Sequence, residues 1–165
     1  MKLQVSGIIP DSIVDGPGLR MTVFTQGCPH HCPGCHNVDT HPFSGGKFID
    51  TAEITAQIDK NPLLDGITLS GGEPFAQALA CLEIAQAAKA RGLHVITYTG
   101  YTFEELVGNN EPAANLLISN SDWLIDGPFF LEQKTYSLPW RGSFNQRILN
   151  GQESIIRKQA IPIIG

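Results

Sequence analysis

The fold expected from the sequence is a single α/β domain spanning residues 1–165, an open, partial (β/α) barrel, and three observations lead to it. Short strand-like runs alternate with helical ones, the pattern of a mainly parallel sheet covered by helices. Three full βα units, with partial ones at either end, are too few for a closed eight-stranded barrel, which takes about 250 residues. A chain of 165 residues, 42% of them hydrophobic, is also the size that buries its apolar surface in one core.

The elements follow in order. Strands are expected near Leu3–Ile8, Met21–Gln26, Gly66–Ser70, His94–Thr99 and Trp123–Asp126, each a short apolar or β-branched run. Asp50, with Glu53 three residues on, caps a helix running to about Asp59. A longer helix should cover the sheet from Ala76 to Ala90, with Leu79, Leu82 and Ala85 or Gln86 along one side, Lys89 and Arg91 at its negative end and Gly92 stopping it. Thr102 and Glu105 repeat the capping arrangement for a shorter helix, and Asn109-Asn110-Glu111-Pro112 is a turn between helices.

Composition excludes several classes. The net charge of −5 leaves no basic stripe for nucleic acid, and no apolar run approaches the roughly 20 residues of a membrane helix. Met1-Lys2-Leu3-Gln4 is not the start of a basic-then-apolar secretory segment, so a reducing, cytoplasmic setting is expected.

Three of the four cysteines fall in Cys28-Pro29-His30-His31-Cys32-Pro33-Gly34-Cys35, a C-x3-C-x2-C spacing. A [4Fe–4S] cluster normally takes four thiolates, so three would leave one iron open to another ligand. Prolines 29 and 33 stiffen the loop, and Gly27 and Gly34 let it wrap a compact core. A disulfide framework fits poorly because three close cysteines leave an odd thiol. Zinc fits the spacing as well as the cluster does, since His30, His31, His36 and His41 lie nearby and Cys3His is a common zinc set. Cys81, in an Ala/Leu-rich helical stretch, reads as a small buried hydrophobe.

The surroundings of the loop carry a resemblance. Asp15-Gly16-Pro17-Gly18-Leu19-Arg20 and Phe24-Thr25-Gln26-Gly27 precede it, His36-Asn37 follows, and Ser70-Gly71-Gly72-Glu73-Pro74 comes later. Together these resemble the radical S-adenosylmethionine (SAM) enzymes, and more narrowly their glycyl-radical-activating branch. Asp126-Gly127-Pro128-Phe129 and Pro139-Trp140-Arg141-Gly142-Ser143-Phe144-Asn145-Gln146-Arg147 are similar to that branch too. The resemblance implies an open partial barrel of the radical SAM type and a [4Fe–4S] cluster on Cys28, Cys32 and Cys35, the residues on which catalysis rests. It implies SAM bound along Gly34, Cys35, His36, Gly71, Gly72 and Glu73, with the Glu73 carboxylate orienting the methionyl ammonium. The implied reaction is reductive cleavage of SAM and removal of a hydrogen atom from a glycine of anaerobic (class III) ribonucleotide reductase, the electron coming from a flavodoxin or ferredoxin. Three alternatives stand beside it: activation of another glycyl-radical enzyme, radical chemistry on a small molecule, and a non-catalytic zinc-bearing interaction module.

Other motifs have ordinary readings beside functional ones. Ser70-Gly71-Gly72-Glu73-Pro74 alone is a strand-to-helix turn, and Asp15-Gly16-Pro17-Gly18 has the signature of a type II turn. Activases with the latter motif imply a rim for the protein substrate, with Arg20 near the mouth. Thr97 and Thr99 alternate with Tyr98, so one set faces the barrel interior, where hydroxyls could bind SAM ribose; threonine is equally a favoured strand residue. Trp140 and Arg141 suit a partner-docking anchor or a packed core equally. Strand carboxyl ends bear the ligands in such folds, so Cys28, Gly71-Gly72, Tyr98-Thr99-Gly100 and Gly127 should face one mouth.

Overall fold

In the computed structural model, which describes residues 1–35 and 37–164, eight strands among those residues form one open sheet. In chain order they are β1 (Lys2–Ser12), β2 (Arg20–Thr25), β3 (Lys47–Asp50), β4 (Gly66–Gly71), β5 (His94–Tyr98), β6 (Trp123–Asp126), β7 (Arg147–Asn150) and β8 (Pro162–Ile164). The spatial order is β3-β1-β2-β4-β5-β6-β7-β8, with β2, β4, β5 and β6 parallel and the outer pairs antiparallel. The five expected strands are present. β3, β7 and β8 were not expected; they are strands of three or four residues, β3 and β8 at the two edges and β7 between β6 and β8, too short to show an apolar pattern of their own.

Five α-helices join them among the described residues: α1 (Thr51–Asp59), α2 (Ala78–Ala90), α3 (Phe103–Gly108), α4 (Pro112–Ser119) and α5 (Gly151–Arg157). Asp50 caps α1 by accepting from the Ala52 amide, and Thr102 and Glu105 form a complete capping box on α3. The segment expected to begin α2 is a short 3-10 turn, Pro74–Gln77, because Glu73 caps the Phe75 amide before the α-helix proper begins. The buried stripe of α2 also differs from the expected one. Leu82 and Ala85 are buried as expected, but Leu79 is exposed, and the residues packed against the sheet are Ala80, Cys81, Ile84, Ala85 and Ala88, because the close approach of helix to strand selects small side chains there. Cys81 is fully buried in this core, as a small hydrophobe.

Alternation along the parallel strands divides the sheet into two faces. Met21, Val23, Ile67, Leu69 and Val95 pack under the helices, each fully buried branched side chain contributing about 1.5–3 kcal/mol. Ile96, Ile125 and Ile148, with Tyr98, Trp123 and Trp140, fill the opposite, concave face.

Arg20 lies at the amino ends of the parallel strands, in register with Gly66 and His94, and therefore at the closed end of the sheet and not near the mouth. It is fully buried and donates to Thr68 Oγ1 (2.8 Å), Pro17 O (3.0 Å), Ile67 O (2.7 Å) and His94 O (3.0 Å), with His94 Nδ1 at 3.1 Å. Burial lowers its pKa to about 10, so the guanidinium stays charged at neutral pH. The Gly-Pro-Gly turn belongs to the same plug. Gly18 has φ 76°, as the third position of a type II turn requires, and Asp15 O accepts from Thr68 Oγ1 while Asp65 accepts from the Leu19 amide. Its expected place on the rim is thus corrected: β1 and β2 are antiparallel, so the turn joining them lies at the end opposite Cys28.

Three outcomes follow. Arg20→Ala should lower stability by about 2–4 kcal/mol in urea unfolding, because it strands several buried acceptors. Gly7→Ala, where an added Cβ meets nothing within 4 Å, should leave it unchanged or slightly raised. His94 is held below the ordinary histidine range, first by burial and then by the Arg20 charge. Its contribution is therefore full above about pH 6.5 and is lost as pH falls through the lowered folded value. His94→Gln should flatten the decline in melting temperature on the acid side of that point.

Candidate functional site

The cysteine loop leaves the carboxyl end of β2 through Gln26 and Gly27. Its entry is pinned by backbone: Gly27 N donates to Thr40 O (2.7 Å) and Cys28 N to His41 O (3.0 Å). The Gln26 side chain donates to Asp39 O (3.2 Å) and Pro42 O (2.6 Å), fastening the segment that follows the cysteines. Gly27 and Gly34 take φ of 106° and 75°, and His31 shares the left-handed region at 49°, uncommon for a residue with a side chain. Within the loop Cys35 N donates to Cys32 O (3.2 Å), and Asn37 N donates to the Cys35 sulfur (3.4 Å).

The turn after β4 is stitched to this loop. Gly72 N donates to Thr25 O and Glu73 N to Gly27 O, both at 2.8 Å. Both glycines are required by space: a Cβ on Gly71 would strike the Thr25 amide, and one on Gly72 the Gly27 carbonyl. Gly71 also has φ 95°.

Cys28, Cys32 and Cys35 then line one open cavity of about 120 Å³ together with Ser70, Gly71 and Gly72. The strand-end rule holds, since Thr99, Gly100 and Gly127 complete the same wall. Phe129 and Gln146 belong to it as well. Sequence reading missed Gln146, whose side chain accepts from Gly142 N and donates to Gly127 O; the only hint was its place at the end of the Trp140–Arg147 motif.

At Gly34 a Cβ would meet Leu131 at 2.8 Å, and His36 lies outside the described residues. Several other expected contacts fall elsewhere. The expected aim of Glu73 at a ligand ammonium is corrected. Its side chain is fully buried, with Oε1 accepting from Thr99 Oγ1 (2.9 Å) and Gly100 N (2.8 Å) and lying 2.5 Å from His30 Nε2, and Oε2 accepting from Phe75 N (3.1 Å). Thr97 turns away from the concave face to pair with Ser121 (2.8 Å), and Thr99 gives its hydroxyl to Glu73. Trp140 packs on Trp123 with ring centroids 5.3 Å apart, and its carbonyl accepts from Tyr98. Arg141 is 8% exposed, its Nε without a hydrogen-bond partner among the described residues. Both are thus packed side chains. Beyond them, Arg147 grips the buried Asp126 through two bonds of 3.0 and 2.6 Å, holding the end of β6.

The thiols suit a metal cluster in their chemistry: all are free, and all three of the loop reach the one cavity. Among the described residues, no three His, Cys, Asp or Glu side chains gather as one metal ion requires. Burial, and secondarily the Glu73 charge, raise the Cys28 thiol above its ordinary value, while burial pushes Cys81 to about 12. Iodoacetamide at mildly alkaline pH should therefore modify Cys32 and Cys35 before Cys28 in the folded, metal-free protein, and Cys81 only after denaturation, as read by peptide mass spectrometry. Early labelling of Cys81 would contradict its place in the core.

A 4Fe-4S single cluster domain model matches residues 14–149. The anaerobic ribonucleoside-triphosphate reductase-activating protein of Vibrio cholerae is 37% identical over 147 residues, covering 84% of this chain and 92% of that protein. Its Escherichia coli K12 counterpart is 36% identical over 145 residues, covering 83% and 92%. The pyruvate formate-lyase-activating enzyme of Clostridium pasteurianum is 36% identical over 117 residues, 66% of this chain and 49% of that enzyme. The crystal structure of QueE from Escherichia coli overlaps 62% of this chain and 54% of its own at a TM-score of 0.49 and 16% identity. The matched span runs from the Gly-Pro-Gly turn through the cysteine loop to the Trp140–Arg147 segment, and on it the chain belongs to the 4Fe–4S single-cluster family, among the glycyl-radical-activating members of the radical SAM enzymes.

Proposed function

We propose that this protein activates an anaerobic ribonucleoside-triphosphate reductase by removing a hydrogen atom from a glycine of that enzyme. The observation that carries the reading is the meeting of the C-x3-C-x2-C thiols with the Gly71-Gly72 backbone on one cavity wall at the carboxyl ends of the parallel strands. In this reading Cys28, Cys32 and Cys35 hold three irons of a [4Fe–4S] cluster and leave the fourth to the amino and carboxylate groups of SAM. Gly71 and Gly72 offer bare backbone to the methionyl end. Gly34, Cys35 and His36 serve the adenosine side. Glu73 shapes this cradle from behind.

With both groups bound, the cluster supplies the electron for reductive cleavage of SAM, and SAM supplies the species that takes the hydrogen atom. What the chain contributes is orientation and exclusion of water. Phe129, buried and on the cavity wall, presents an apolar surface there, and Gln146 holds the Gly127 turn beside it. The sheet ends in separate edges, β3 and β8, which supports a mouth open to a loop from a large partner. With Cys81 committed to the core, the remaining cysteines supply one cluster, which supports an outside electron donor such as a flavodoxin or ferredoxin. The free cysteines fit a reducing, cytoplasmic setting. Among the described residues no helix is long and apolar enough to cross a membrane.

Purified without oxygen, the protein should carry one four-iron, four-sulfide cluster, lost in Cys28→Ala, Cys32→Ala or Cys35→Ala and kept in Cys81→Ala. Mixed with its anaerobic reductase, SAM and a reductant, it should give a glycyl radical by electron paramagnetic resonance. Zinc without sulfide would overturn the reading. A radical formed only on a formate-lyase-type enzyme would move the substrate to the branch that the Clostridium relative represents.

A further inference from the structure

His30 sits midway between Cys28 and Cys32, yet its ring is turned away from solvent, with its side chain 15% exposed. Its Nε2 lies 2.5 Å from the buried Oε1 of Glu73. The ring stands edge-on to Tyr101 with centroids 4.4 Å apart, and Gly100 lies so close that an added Cβ would enter it. Three loops therefore converge on one carboxylate: the cysteine loop through His30, the Gly71-Gly72 turn through Glu73 itself, and the end of β5 through Thr99 and Gly100.

We propose that His30 is a positioning residue that sets the register between the cysteine loop and the Gly71-Gly72 cradle by anchoring the former on Glu73. The proposal rests on the reading that these two segments hold the cluster and SAM. Those two groups must meet at one iron, so the relative placement of their loops matters more than the stability of either. Removal of His30 leaves Glu73 with its bonds to Thr99, Gly100 and Phe75, so the buried carboxylate remains satisfied and the fold should survive. What is lost is the tie between the loops. Glu73→Gln weakens the same tie from the other side while keeping its volume.

The test compares His30→Ala, His30→Gln, Glu73→Gln and the double variant His30→Ala with Glu73→Gln, each with its cluster reconstituted. Two readouts are taken per loaded cluster: the dissociation constant for SAM, and the change that SAM causes in the paramagnetic resonance spectrum of the reduced cluster. His30→Ala should weaken SAM binding by about 10- to 100-fold, the usual effect of losing a residue behind a metal site, and blunt the spectral change while iron and sulfide content stay near normal. His30→Gln, which keeps a donor, should recover part of both. The double variant should be no worse than the worse single one, because both remove the same tie.

Wild-type SAM affinity and spectrum in His30→Ala would overturn the proposal, and so would additive losses in the double variant. If His30→Ala takes up no cluster, the comparison passes to His30→Gln, where a normal SAM response supports the anchoring role and a full loss of affinity overturns it. A wild-type protein that holds no cluster or does not bind SAM would instead overturn the functional reading.

Discussion

The carboxyl ends of β2 and β4 lie closer together than two ordinary residues allow, because a Cβ on Gly72 would run into the carbonyl of Gly27 and one on Gly71 into the Thr25 amide. This close approach lets the Gly72 and Glu73 amides bond to Thr25 and Gly27, and those bonds place the cysteine loop beside the glycine turn. Much of the mouth depends on it. A methyl group at position 72 would have to displace main chain, which cannot rotate out of the way as a side chain can. The glycine pair is thus a packing requirement first, and the backbone it bares toward the cavity is a consequence of the same geometry.

Two buried ionic groups finish what that contact begins, one at each end of the sheet. At the mouth, Glu73 collects donors from the cysteine loop, from the end of β5 and from its own turn. A charged oxygen removed from water needs such partners, and each lost one exposes part of the desolvation penalty of about 1–3 kcal/mol. At the closed end Arg20 does the converse, giving its donors to carbonyls and a hydroxyl that the turn and strand starts would otherwise leave unsatisfied. Exposed pairs such as Arg157–Glu153 contribute only about 0.3–0.5 kcal/mol. The fold is therefore specified at its two ends by buried polar groups and held in its middle by the apolar layer under the helices.

Openness has its own logic here. A closed barrel would enclose its ligands, whereas this sheet stops at β3 on one side and at β8 on the other. The segment between β6 and β7 folds back on itself through Asn145, Gln146 and Ser143 and brings Phe129 to the cavity wall. A wall built from a hydrogen-bonded loop in place of further βα units leaves the cluster side bounded and the substrate side accessible.

The sequence by itself determined the α/β class, the five principal strands, the capped helices and the cysteine loop, because those are written in local periodicity, capping residues and spacing. It also determined that Cys28, Gly71-Gly72, Gly100 and Gly127 share one mouth, since in parallel sheets the ends of the strands fix where loops gather. Only the tertiary structure decided which way individual side chains turn. Thr97 faces the helices, Arg20 lies at the end away from the cysteines, Glu73 is spent on its neighbours, and Trp140 and Arg141 are packed. Nothing local distinguishes these outcomes, because a polar residue near a strand end finds its partners among segments distant in sequence: His94 for Arg20, His30 and Gly100 for Glu73. The physical reason is that burial must be compensated by hydrogen bonds, and which bonds are within reach is known only once the chain has closed around them.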